Sequence, residues 1–307
     1  MSAVKRSIRS TPVGVRGWLL FAILAVIGLL GSGCGLFGVN LGIDGVDVRT
    51  VRIDGQNGRS AILVEPADRT ASSPKLPLVV ILHGLGEDAE GMAKLATWPE
   101  AARDVGFVAV FPQGVDDSWN AGKCCGSAAE QGVDDVAFLD ALVAQMVAEE
   151  NVDPNAVYLT GFSNGAMMTY LYGCRRPDAL AGAASVAGTN FSDCQPDAPL
   201  RFLQVSGSDD PVVPVLGGHS SVPGVPEVPS VEQSILAVAR ASGCTGQPNG
   251  VELAGVASFQ GEGCADGKPV RYDVVRGLGH EYPNLVNSPE YVAVDKIVEF
   301  WGLSGTR

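Results

Sequence analysis

The chain has 307 residues, 46% of them apolar, and sets 21 lysines and arginines against 34 acidic side chains for a formal net charge of −13. That length and apolar share support a sizeable core. The acidity removes the basic footprint that nucleic-acid binding needs, while a small ester, an uncharged polymer or a cell-wall component is compatible with it.

Residues 1–17 carry Lys5, Arg6, Arg9 and Arg16 without an acid, and 18–30 form an apolar block too short for a comfortable membrane span. With Gly31, Ser32 and Gly33 before Cys34, the segment 1–33 reads as a secretory signal peptide. Small residues ending in cysteine are the pattern of a bacterial lipoprotein processing site, which makes Cys34 the lipid-modified mature N-terminus and a lipid anchor the one membrane attachment. Leu30 stands one place further from the cysteine than is usual, so plain cleavage with release and an uncleaved anchor are the alternatives. Without the four cations the mature chain carries about −17.

Residues 34–48 are Gly-rich, lack a clear period and read as a tether; 49–307 read as one catalytic domain. Strand signals at 60–64 and 76–82 precede a helix over 91–105, a strand at 107–111 and a helix over 134–149, where Asp134 and Asp135 favour the helix dipole. Further strands at 183–187, 202–205 and 270–275 alternate with helices near 230–241 and 289–301. The alternation implies a mostly parallel sheet with helices on both faces.

Within that frame, Ala156-Val157-Tyr158-Leu159-Thr160 has strand character and Ala166 to Leu171 has helix character, with Gly161-Phe162-Ser163-Asn164-Gly165 between them. A G-x-S-x-G in this position is a nucleophile elbow. The serine must sit on a strained turn with its hydroxyl exposed, and flanking glycines let strand and helix approach without a Cβ clash.

A serine nucleophile needs an imidazole as general base, and the chain offers His83, His219 and His280. His83 lies before Gly84-Leu85-Gly86, where an early strand enters a glycine turn and an oxyanion donor belongs. His219 lies in an irregular stretch, whereas His280 follows a late strand and the turn Gly277-Leu278-Gly279. His280 is therefore the predicted base. The acid should lie between Ser163 and His280 just past a strand, where Asp209 and Asp210 compete. Asp210 is the choice because Pro211 holds its backbone extended, while Asp209 fits ordinary turn capping.

Export also sets how the remaining six cysteines are read, since an even number in an oxidising compartment suggests up to three disulfides. Sequence order favours Cys174–Cys194 and Cys244–Cys264 among fifteen possible connectivities. Cys124 and Cys125, being adjacent, bond to each other or exchange partners with another pair. No histidine accompanies the cysteines at ligand spacing, so neither a metal nor a cofactor is expected.

From about Leu76 to Trp301 the chain resembles the esterase family that includes secreted poly(3-hydroxybutyrate) depolymerases and feruloyl esterases, within the α/β-hydrolase fold. The resemblance rests on Leu82-His83-Gly84, Phe111-Pro112-Gln113-Gly114, Ser118-Trp119-Asn120 with Cys124-Cys125-Gly126, and 133–138. The elbow, 210–214 and Gly279-His280 complete it. It implies Ser163, Asp210 and His280 as a triad, the amides of Leu85 and Asn164 as oxyanion donors, and the two local cysteine pairs. The chain departs from the pattern at Ser206, where a histidine is frequent, at Val215, where an aromatic is frequent, and at Tyr282, where a tryptophan is usual. These positions are expected to border the cleft, with Tyr282 among the substrate contacts, and Trp119 is read as a wall for an acyl or aromatic group.

The expected activity is hydrolysis of a carboxylic ester, whether small ester, polyester or plant-wall feruloyl ester, through an acyl-enzyme. An acyltransferase or a peptidase uses the same triad. A non-catalytic binding protein on the hydrolase scaffold is the reading outside enzymes.

Overall fold

The computed structural model describes residues 39–303 apart from 71 and 246–248. The signal segment and Cys34 lie outside the described residues. Among the described residues, ten strands form one sheet in the order β1-β2-β4-β3-β5-β6-β7-β10-β9-β8. The strands are β1 (Val46–Arg52), β2 (Ser60–Pro66), β3 (Leu76–Leu82), β4 (Val108–Pro112), β5 (Val152–Phe162), β6 (Gly182–Val186), β7 (Phe202–Gly207), β8 (Asn249–Leu253), β9 (Val256–Gln260) and β10 (Val270–Val275).

The six strands from β4 to β10 in the middle of that order pair in parallel, and the outer pairs at both sides are antiparallel. Parallel strands need cover on both faces, and β4, β6 and β7 are buried at every residue. Along β3 the pleat sends Leu78, Val80 and Leu82 to one core and Val79 and Ile81 to the other.

The first core is closed by α4 (Asp135–Glu149), α5 (Asn164–Arg175) and α6 (Val231–Ala241), which contribute Phe138, Leu142, Met168, Ile235 and Val238. The second is closed by α1 (Ala89–Leu95), α2 (Trp98–Ala101) and α7 (Ala293–Trp301), with Trp98 stacked on Trp301 at 6.1 Å between ring centroids. Each large buried side chain here contributes roughly 1.5–3 kcal/mol relative to exposure. A short helix α3 (Gly126–Glu130) lies in the loop region after β4.

Helix starts follow their caps. Asp88 accepts from the Gly91 amide at 2.6 Å, Asp134 from Ala137 at 3.0 Å and Ser230 from Gln233 at 3.3 Å, each worth about 1 kcal/mol.

The α/β-hydrolase architecture expected from the sequence is present, with differences in detail. The helix expected over 91–105 is broken: α1 ends at Leu95, α2 restarts at Trp98, and a π-helical turn covers 102–106. Pro99 is the reason, since it is tolerated in a first turn but not within a continuous helix. The closing helix begins at Ala293 rather than 289. β1 starts three residues inside the segment read as a tether, and its Val-x-Val alternation pairs with β2 over all seven residues. The β8–β9 hairpin has no counterpart among the elements expected from the sequence.

Because the central strands run the same way, the loops after β3, β4, β5, β6, β7 and β10 gather at one edge of the sheet. Ser163, Asp210 and His280 all lie on those loops.

Candidate active site

Ser163 stands between β5 and α5 with φ 52° and ψ −114°, a left-handed conformation that an L-residue adopts only under constraint, at a cost of order 1–3 kcal/mol. The constraint is visible on both sides: the Ser163 amide donates to the Val186 carbonyl at 2.9 Å, and the Met167 amide to the Ser163 carbonyl at 3.0 Å. The glycines of the motif are forced by space. A Cβ on Gly161 would run into the Gly165 backbone, and one on Gly165 would stand 2.5 Å from the His83 carbonyl oxygen.

His280 reaches this serine across 117 residues of sequence, its Nε2 lying 2.9 Å from Ser163 Oγ. On the far side, His280 Nδ1 lies 2.8 Å from Asp210 Oδ2. The carboxylate is buried, and its other oxygen accepts the amides of Val212 and Val213, each at 2.8 Å. Pro211 has no N–H, so these are the first two amides the turn can offer. With Asp210 an acceptor, the Nδ1 proton belongs between His280 and Asp210, which leaves Nε2 to accept from the serine hydroxyl. Gly207 lets the two loops touch, since any Cβ there would collide with the carbonyls of Leu278 and Gly279. Phe162 backs the imidazole, with ring centroids 5.3 Å apart.

Asp209 is exposed and takes a hydrogen bond from the Ser208 hydroxyl at 2.6 Å, in ordinary turn chemistry. It does not meet His280.

The loop after β3 carries Leu85, and its neighbouring groups are all engaged. The Gly84 amide donates to Glu87 Oε2 at 3.0 Å, the Gly86 amide to the Asp117 carbonyl at 2.8 Å, and the Glu87 amide to the Gly84 carbonyl. Asn164 is the first residue of α5, so its amide has no carbonyl one turn earlier to bond. These are the two N–H groups named from the resemblance.

His83 is wholly buried, with Nδ1 2.8 Å from the Gly84 carbonyl and Nε2 accepting from the Gly114 amide at 2.9 Å. Burial lowers its pKa, against smaller upward pulls from the Gly84 carbonyl, Glu87, Asp117 and Asp88. It is a neutral structural ring.

Three expectations about the cleft need correcting. Trp119, read as a substrate wall, is fully buried, stacks on Phe138 and donates its indole N–H to the His83 carbonyl at 3.0 Å. Tyr282 is also buried, its hydroxyl accepting from Trp98 Nε1 at 3.0 Å and its ring set edge-on against Phe162. Ser206 lies inside the sheet and accepts from Gln204 Nε2 at 2.9 Å. Each is an amphipathic side chain whose polar end found a partner within the core, which removes it from any solvent-filled cleft.

The structure pairs Cys124 with Cys125, Cys174 with Cys194 and Cys244 with Cys264. Asp135 stands in the first turn of α4, as expected, and is also a buried carboxylate 2.7 Å from Arg59 Nη1, while the Asp134 side chain caps the helix. Burial raises the Asp135 pKa and lowers that of Arg59, while each charge favours the other.

Comparison with known proteins identifies the family and the fold. The family model described as "Esterase PHB depolymerase" matches residues 61–267. NocK of Nocardia uniformis subsp. tsuyamanensis, an esterase by name, is 31% identical over 225 residues, which cover 67% of this chain and 65% of that protein. Feruloyl esterase B of Piromyces equi is 29% identical over 216 residues, covering 66% of this chain and 39% of that protein. The chain thus spans between two fifths and two thirds of the length of these curated relatives. Among solved structures, the acetyl xylan esterase from Aspergillus awamori aligns with a TM-score of 0.61 at 15% identity, covering 84% of this chain and 100% of that one, a likeness of fold. The match over two thirds of the sequence places this chain in the Esterase PHB depolymerase family.

Proposed function

We propose that the protein hydrolyses carboxylic esters by two-step acyl transfer. The observation that carries this reading is the unbroken line Ser163 Oγ, His280, Asp210, with 2.9 and 2.8 Å between successive partners, beginning on a strained turn at the loop edge of the sheet. His280 takes the hydroxyl proton as Ser163 attacks the carbonyl, and Asp210 holds the ring tautomer and stabilises the imidazolium. The amides of Leu85 and Asn164 hold the oxyanion. The proton then passes to the leaving alkoxide, and water, activated by the same imidazole, releases the acid.

Small esters, aliphatic polyesters and feruloyl esters are the candidate substrates. The relatives' names and the family description cover the second and third of these classes. An exported location, as secreted enzyme or lipoprotein anchored through Cys34, is consistent with three disulfides and the basic-then-apolar leader. Labelling with a fluorophosphonate probe tests the reading: wild-type protein is expected to label and Ser163→Ala is not. Undiminished labelling of the variant would remove Ser163 from the mechanism. A panel of short acyl esters, feruloyl esters, polyester particles and peptides then separates esterase from peptidase, and added alcohol acceptors reveal acyltransfer.

A further inference from the structure

The four residues Asp117, Ser118, Trp119 and Asn120 bond to both strands of chain that would supply the oxyanion donors. On the Leu85 side, the Asp117 carbonyl accepts the Gly86 amide at 2.8 Å and the Trp119 indole donates to the His83 carbonyl at 3.0 Å, so the loop is held just before and just after Leu85. On the Asn164 side, the Trp119 amide donates to Asn164 Oδ1 at 2.7 Å and Asn164 Nδ2 donates back to the Trp119 carbonyl at 3.0 Å. The Asn164 carboxamide is buried, and one backbone residue bonds both its oxygen and its nitrogen.

That segment is itself anchored from below. The Asn120 amide donates to Asp135 Oδ2 at 2.7 Å, while Asp135 Oδ1 holds Arg59, whose guanidinium lies 3.4 Å over the Phe138 ring and bonds the Gln113 carbonyl at 3.1 Å. A buried ion pair adds little net stability against an apolar alternative, but fixes geometry when all its partners are in place. Its placement under a segment that touches both donor loops gives that rigidity a use.

We propose that residues 117–120 are a spacer that sets the separation of the Leu85 and Asn164 amides, with the Asn164 side chain and Asp135 as positioning residues for oxyanion stabilisation. This rests on the ester-hydrolase reading above. Asn164 then has two separate parts: its backbone N–H faces the developing charge, and its carboxamide keeps that N–H in place. Oxyanion donors act only when held where the charge develops, and loss of one costs about 100- to 1,000-fold in turnover. Loosening both without removing either is expected to cost about tenfold.

The test compares p-nitrophenyl acetate with its thiono analogue, in which sulfur replaces the carbonyl oxygen and accepts hydrogen bonds poorly. Turnover is counted per fluorophosphonate-titrated site, so unfolded protein drops out. In Asn164→Ala, which keeps the amide, the oxygen-to-sulfur rate ratio is expected to fall about tenfold while KM for the oxygen ester stays within about threefold. Asp135→Asn, which keeps an acceptor for Asn120, should move the ratio the same way by about threefold. A ratio unchanged in Asn164→Ala, whether both rates hold or both fall together, overturns the proposal. Should that variant give no titratable sites, Trp119→Phe replaces it; the ring stays, the bond to His83 goes, and an unchanged ratio is again fatal. Wild-type protein that fails to label would overturn the hydrolase reading, and this inference with it.

Discussion

Two imidazoles sit at the same edge of the sheet and differ in everything that decides their chemistry. His83 is enclosed, and both ring nitrogens face backbone groups, which fix one neutral tautomer and leave no route for a proton. His280 retains 17% of its side-chain exposure, and its ring nitrogens face a carboxylate and a hydroxyl. Backbone partners freeze a ring, whereas side-chain partners that can gain or lose a proton allow it to work as acid and base. In the proposed mechanism, this contrast is why His280 and not His83 serves as the base.

That contrast can be broken most sharply at Asp210. Replacing it with asparagine keeps the shape but reverses the hydrogen bond to Nδ1, and turnover should fall about 10³- to 10⁴-fold, as measured by kcat on a soluble ester. The neighbouring change Asp209→Asn should stay within about twofold; the opposite ranking would move the acid to Asp209. His280→Ala belongs with the first group, and a wild-type rate there would remove the base.

Next in size is the disulfide between α5 and the loop after β6. Cys174–Cys194 closes a loop with a sequence separation of 20, and Cys174→Ala with Cys194→Ala should lower stability by about 3 kcal/mol in urea unfolding. Rates per titrated site should be retained, because neither sulfur touches the Ser163, His280 or Asp210 line. A kcat loss at full occupancy would tie the disulfide to the reaction.

The smallest effect is expected at His83, and it is one of pH. Its pKa is lower folded than unfolded, so the unfolded chain binds the extra proton first. The ring's contribution is complete above about 6.5 and is lost as pH falls from there towards the folded value. His83→Gln should flatten the acid limb of stability against pH, followed by thermal midpoint. An unchanged acid limb would mean that His83 does not titrate on unfolding.

The line Ser163, His280, Asp210 was legible because its signals are local or scarce. The elbow is spelled by glycines that the strand–helix approach requires, three histidines left few choices, and proline after Asp210 marked a turn. What escaped was tertiary. A tryptophan beside a motif reads equally well as cleft wall or core, and nothing in Ser118-Trp119-Asn120 reveals that its backbone reads a carboxamide 45 residues later. Asp135 reads as a helix-start acid, and its second role is hidden because its partner, Arg59, lies 76 residues away. Pro99, by contrast, was a visible signal that the apolar period over 91–105 hid. The β8–β9 hairpin carries exposed Val251 and Leu253, so no buried face advertised it.

The loops bearing Ser163, Asp210 and His280 all leave the sheet by one side, and the central parallel strands begin at the other. Lys75 is exposed there, one residue before β3 begins. Coupling the protein to a solid support through that amine would turn the Ser163-bearing edge outward, an orientation set by strand direction.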